Sequence, residues 1–472
     1  MEGLYSLSPR AIWTVLKDEH FSFWMVCGYL VLEYFRPQSI IPALDVVPWD
    51  KLFVGLCAVS LLADPQRRWV RNRTNLWMTL FLGVIVFSSF FAEYPTVSWS
   101  HWFDFFGWYV IYFLIINTVT TSRRYFIFIG IFLLASFKLS LFGAKTWVLR
   151  GFGFRKWGIQ GPPGFFENSG ELSIQMLMFA PIAYELALFF KSRLSRTGYW
   201  IAMAVPVTGV MTVLGASSRG AQIALAYQAY RTKFKGKLNL KLLVVLAAIA
   251  WGCWALLPDA QKARFLTIGD DKSSQQRLYY WQAGVRMIEK HPLLGVGYFN
   301  FQPYFAIHDS NEILYGVAQL PHNIFVQVGT DAGLIGLGVF LMLIRCNLRT
   351  AREIQLMCAE EEGHPSFAGS MARGLSISTW GFVIAGQFVT VTYYPFLWIN
   401  LALTVSLANI VARSAQQVRE IAHARQSAIL AQAVDSPGPE PAAAGRPRPR
   451  FGPLARHDRF RGKPRRPQSP GD

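Results

Sequence analysis

Apolar stretches of bilayer-crossing length recur along most of this chain, and they constrain its fold more than any other feature. A helix needs about 20 predominantly apolar residues to cross a membrane. Residues 76–92, 102–120, 125–142, 171–190, 199–215, 323–344 and 374–391 each read as such a stretch, with shorter ones at 21–35, 52–63, 220–230, 242–257 and 396–411. Inside a bilayer the backbone must satisfy its own hydrogen bonds, so a chain of this kind spans as helices or as a closed barrel. No alternating strand pattern is present. The expected fold is therefore all-α, a polytopic membrane protein of about 12 transmembrane helices. Composition agrees: 52% of residues are hydrophobic and only 16% are charged, against roughly 25% in soluble domains.

The net charge of +18 would suggest a nucleic-acid partner in a soluble protein. Here the basic residues sit between apolar runs and in the tail, where they set orientation. With the N-terminus in the cytoplasm, alternate loops carry Arg67, Arg68, Arg71 and Arg73, then Arg123 and Arg124, Lys191, Arg193 and Arg196, Arg231, Lys233, Lys235 and Lys237, and Arg345, Arg349 and Arg352. No nucleic-acid partner is expected; membrane lipids are. Three regions follow. Residues 1–20 form a cytoplasmic N-terminus, 21–412 the transmembrane domain, and 413–472 a disordered basic cytoplasmic tail.

One outer loop, about 258–321, is too long to be a simple connection. Within it, Leu278, Trp281, Val285 and Ile288 recur at helical spacing, which predicts a helix over 274–290 with one apolar face, capped by Ser273 or Ser274. The glycines after Asp331 read as sites of close helix packing.

Cations on the outer face break the orientation rule and so mark candidate sites. Arg36, Lys145, Arg150, Arg155, Lys156, Arg219, Arg277 and Arg286 fall there, and Lys138 lies inside a span. A planar guanidinium donates two parallel hydrogen bonds to phosphate oxygens, so these arginines point to a phosphorylated lipid. Arg219 follows the small-residue turn Gly215-Ala-Ser-Ser; a snorkelling helix-end arginine is the alternative reading. Arg277 and Trp281, four residues apart, share a helix face, although a lone surface arginine fits the same pattern. Arg286 reads as structural. His322, in Pro321-His322-Asn323, lies at the membrane boundary, where an imidazole serves as a base or merely orders a helix start. There is no GxxxxGK[ST] loop, HExxH or Cys/His cluster, nor an Asp-x-Asp pair; no metal and no cofactor are expected.

The order of these motifs resembles the O-antigen ligase family of bacterial glycan ligases and polymerases. It comprises about twelve spans, Tyr34-Phe-Arg-Pro-Gln38, Ser218-Arg219-Gly220, Arg277 with Trp281, His291-Pro-Leu-Leu-Gly-Val-Gly297, and Pro321-His322-Asn323. The resemblance implies a GT-C-like glycosyltransferase of the bacterial inner membrane, with its active site facing the periplasm. The implied donor is an undecaprenyl-diphosphate-linked glycan, and the implied acceptor is a hydroxyl of lipid A core, protein or another glycan. Arg219 and Arg277 would hold the diphosphate and His322 would take the acceptor proton. Arg36, Lys138, Arg155, Lys156, Glu167, Trp281 and Asn323 are further candidates for contact with diphosphate or sugar. Glu167, in Gly164-Phe-Phe-Glu-Asn-Ser169, would bind sugar or act as an alternative base. A polysaccharide polymerase shares all of these features. A lipid-linked glycan transporter is the alternative of a different class, disfavoured by the scarcity of charge inside the spans.

Overall fold

The computed structural model describes residues 17–153, 158–234, 251, 255, 262, 272–358 and 365–435. Among them the chain is all-helical and forms no strand. In order, the helices are α1 (Phe21–Tyr34), α2 (Trp49–Leu61), α3 (Arg73–Phe90), α4 (Pro95–Ser100), α5 (Trp102–Thr118), α6 (Ser122–Leu149) and α7 (Ser169–Phe190). They continue as α8 (Arg196–Gly215), α9 (Arg219–Phe234), α10 (Lys272–Lys290), α11 (Phe301–His308), α12 (Ile324–Met357), α13 (Phe367–Ala385) and α14 (Pro395–Asp435). By contact, Met1–Ala415 forms one compact unit and Gln416–Asp472 a second.

Among the described residues six helices are long and apolar enough to cross a membrane: α3, α6, α7, α8, α12 and the 395–427 part of α14. The protein is thus multi-pass, but the expected twelve spans are not established. α1, α2, α5 and α9 have 14, 13, 17 and 16 residues, less than a full crossing by length. The expected span at 242–257 lies almost wholly outside the described residues. The span expected at 374–391 ends at Ala385, because residues 386–394 leave the helix to form a loop. The tail expected to be disordered from 413 is helical through Asp435. Its Ala-, Gln- and Arg-rich stretch favours helix, and charge alone had argued otherwise.

Polar caps fix where the helices begin. Asn168 accepts hydrogen bonds from Gly170 and Glu171 N–H while the Glu171 carboxylate takes the Asn168 N–H, a reciprocal capping box. Asn323 caps α12 through Phe325 and Val326 N–H. α7 is buried on nearly every side, packed between α8 and α13.

Two further details matter for the site. The helix expected at 274–290 is α10, which already begins at Lys272, so Ser273 and Ser274 lie inside it. And α12 breaks at Gly333 (φ 65°). The Gly295 N–H bonds His291 O at 3.0 Å within the turn 291–297, while Val296 N–H bonds Thr330 O at 2.8 Å and Leu334 N–H bonds Pro292 O at 2.8 Å. A Cβ on Gly295 would strike the Thr330 carbonyl, and one on Gly333 the Leu293 carbonyl. Gly333 is thus the socket for the His291–Gly297 turn; of the other glycines expected to pack closely, Gly336 faces Val84 of α3, whereas Gly338 faces open space.

At the opposite end from that turn, Arg124 is fully buried and paired with Glu19 (2.7 Å) and Asp64 (2.7 Å). It ties α6 to the segment before α1 and to the α2–α3 connection.

Candidate active site

The loop 386–394 organises the end of the bundle where α7, α9 and α12 begin. Ile324 N–H, at the start of α12, bonds Gly386 O at 2.9 Å. Phe388 packs on Gly220 at the start of α9 and lies 6.4 Å from the Trp281 ring on α10. Val389 touches Gly170, and the Tyr394 hydroxyl donates to Glu171 at 3.0 Å, both at the start of α7. The N-termini of α7, α9 and α12 therefore converge on one loop. Each contributes the partial positive charge of a helix start, which suits an anion.

Arg219 is the first residue of α9. The turn before it is tight: Ser217 has φ 57°, and Gly158 sits so close to the Ala216 carbonyl that no Cβ would fit. Arg219 reaches across to α10, where its Nη2 donates to Ser274 Oγ at 3.2 Å. Arg277 lies three residues further along α10, one turn on from Ser274. Trp281 is one turn beyond that, and its indole N–H donates to Pro321 O at 3.0 Å.

That bond anchors the segment carrying His322. The His322 N–H donates to Thr390 Oγ1 at 2.8 Å, and the residue adopts φ 51°, a left-handed conformation that non-glycine residues rarely hold. Its ring lies 6.4 Å from Tyr280. The Tyr280 hydroxyl accepts Gln319 N–H at 2.8 Å, and Gln319 Oε1 faces His322 Nε2 at 3.3 Å. A carbonyl oxygen only accepts, so this contact puts the imidazole proton on Nε2 and leaves Nδ1 as the basic nitrogen. Packing around the half-buried ring, with the Arg277 positive charge second, lowers the His322 pKa to about 4. The imidazole is neutral at pH 7.

The chain thus brings Arg219, Arg277 and His322 to one region: Arg219 reaches α10 through Ser274, and the charge of Arg277 acts on His322. Trp281 joins them as a structural strut. Asn323 spends its side-chain oxygen on capping α12. Glu167 is exposed beside the α7 start. Arg36 and Lys138 make other contacts: the Arg36 guanidinium lies against Gly164, and Lys138 Nζ donates to Phe35 O at 2.7 Å. Arg155 and Lys156 lie outside the described residues. Arg286 is held by Asp309 and Glu312, as expected of a structural residue. Sequence reasoning took Ser274 for a helix cap and missed Tyr280, Gln319, Phe388 and Thr390. The last two were absorbed into a span that the helix does not complete, so no polar signal stood out.

No curated protein matches the chain. A family model described as O-antigen ligase matches residues 173–341, a segment that runs from α7 into α12 and contains Arg219, Arg277 and His322, and over that segment the chain is similar to the O-antigen ligase family.

Proposed function

We propose that this protein is a membrane glycosyltransferase that moves a glycan from undecaprenyl diphosphate to an acceptor hydroxyl on the periplasmic face of the bacterial inner membrane. The acceptor hydroxyl belongs to lipid A core, a protein or another glycan. The observation that carries the proposal is the gathering of two arginines and one neutral imidazole around the 386–394 loop, where three helix N-termini meet. The family match supports a ligase- or polymerase-type enzyme.

In this reading Arg219 and Arg277 bind the diphosphate, and their fixed charge stabilises the negative charge that develops on it as it leaves. The acceptor oxygen attacks the anomeric carbon, and the bond from that carbon to the diphosphate oxygen breaks. The hydroxyl proton passes to His322 Nδ1, and undecaprenyl diphosphate departs. Attack opposite the leaving group inverts the anomeric configuration. Burial of the ring, and second the like charge of Arg277, make the His322 imidazole a weak base. A bound diphosphate offsets that charge and raises the proton affinity of His322 when a base is needed.

The test is incubation of purified protein with a lipid-linked oligosaccharide and a panel of acceptors, followed by mass spectrometry. A glycan–acceptor product with release of undecaprenyl diphosphate is expected. Elongation of the lipid-linked glycan itself would instead identify a polymerase. Movement of intact donor across a bilayer without bond cleavage would overturn the enzymatic reading.

A further inference from the structure

α6 carries a second cationic feature, on its exposed face. Its 28 residues span about 42 Å at 1.5 Å per residue, more than the ~30 Å hydrocarbon core. One face packs inward: Ser136, Leu139 and Gly143 are buried, with Gly143 against Thr212 of α8. Another stripe, Leu134, Lys138, Leu141 and Lys145, recurs at helical spacing. Leu134, Leu141 and the adjacent Phe142 are 70%, 49% and 50% exposed. These residues line an open groove of about 560 Å³, roofed by Gly161 and Pro162.

The groove is apolar along its length and cationic at intervals. Lys138 Nζ is drawn to its wall by Phe35 O (2.7 Å) and lies 4.7 Å over the Phe35 ring. That contact uses one of the three ammonium donors. Lys145 sits seven residues nearer the helix end. The next residue after Phe35 is Arg36, held at φ 52° with its guanidinium against Gly164 of the roofing segment. Arg36 Nε is buried and has no hydrogen-bond acceptor among the described residues.

Cations at membrane level are costly unless an anion accompanies them, and exposed leucines on a multi-pass helix face acyl chains. We propose that this groove is the seat of one anionic phospholipid. Its phosphate lies by Lys145 and Lys138 near the outer end of α6, and an acyl chain runs along Leu141 and Leu134. The charge spacing selects an anionic headgroup, and the apolar lining selects a lipid over free phosphate. This assigns Lys138 to the bilayer rather than to the donor diphosphate, and it does not depend on the glycosyltransferase reading.

Native mass spectrometry of the full-length protein, released from nanodiscs of phosphatidylglycerol or phosphatidylcholine, tests it. The wild type is expected to retain one phosphatidylglycerol per chain through detergent washing and to release phosphatidylcholine. Lys145→Gln, at an exposed position where folding is not at stake, should weaken that retention, and Lys138→Gln with Lys145→Gln should weaken it about tenfold. Equal retention of the two lipids, or unchanged retention in both variants, would overturn the proposal. Displacement of the phosphatidylglycerol by polyprenyl monophosphate at equimolar level would also overturn it, and would give the groove to the donor lipid instead. No displacement by polyprenyl monophosphate or inorganic phosphate supports it.

Discussion

The two ends of the helical bundle use arginine differently. Where α6 begins, Arg124 is closed in by two carboxylates of its own chain, with the Asp64 contact also held by Ser22 (2.7 Å). Where α9 begins, Arg219 reaches a serine hydroxyl on α10, and Arg277 lies near an imidazole whose protonation its charge opposes. The first arrangement locks three segments together. The second brings two arginines and an imidazole to the place where three helices begin. An arginine is therefore no pointer to function by itself; what surrounds it decides.

The largest effects should separate these two ends. Arg124→Ala leaves Glu19 and Asp64 buried without their partner, a loss of about 3–5 kcal/mol, so folded protein should disappear from the membrane fraction on size-exclusion chromatography. Arg219→Ala, Arg277→Ala and His322→Ala should each abolish glycan transfer while membrane protein level and elution stay normal. Normal transfer in two of these three would remove the site assignment.

Next comes the scaffold that holds the imidazole. Thr390→Val removes the acceptor for His322 N–H, a bond of about 1 kcal/mol, and should lower kcat several-fold with little change in KM. Thr390→Ser should restore it. A Thr390→Val enzyme with full kcat would show that the left-handed His322 backbone needs no such anchor.

The pH dependence is a finer test. Because the His322 pKa is lowered to about 4, from an ordinary value near 6.5, the unfolded chain binds more protons than the native one between those values. Stability should therefore rise with pH across roughly pH 4 to 6.5 and gain nothing further from this group above it. Removing the Arg277 charge should raise the His322 pKa, so the protonation-dependent loss of imidazole reactivity in Arg277→Gln should begin at higher pH than in the wild type. Differential modification of His322 by an acylating reagent reads this directly. The smallest effect is expected for Arg286→Ala. Its pairs with Asp309 and Glu312 are partly exposed, so the loss should stay near or below about 1 kcal/mol, with transfer retained.

The candidate site was legible where chemistry leaves a mark in composition. Arg219, Arg277 and His322 were out of place on an outer boundary, and α10 announced itself by its apolar spacing. What joins them was not legible. Thr390 and Phe388 sit in a run apolar enough to pass for the end of a span, and only the exit of the chain from α13 at Ala385 exposes them. Gly333 looked like one more small residue of a packing face, because a positive φ leaves no trace in periodicity. At the tail, charge and Pro-rich composition beyond residue 435 obscured a helix-favouring stretch before it. Arg124 looked like any orienting loop arginine, since its partners are 60 and 105 residues away.

The central claim is that Arg219 and Arg277 act on a single anion. A double-mutant cycle on binding of a short-chain polyprenyl diphosphate to the purified protein tests it most directly. The account predicts that Arg219→Gln and Arg277→Gln each weaken binding by about tenfold or more and that the double variant loses less than the sum of the two free energies. Strictly additive losses, or affinity unchanged by either substitution, would contradict it.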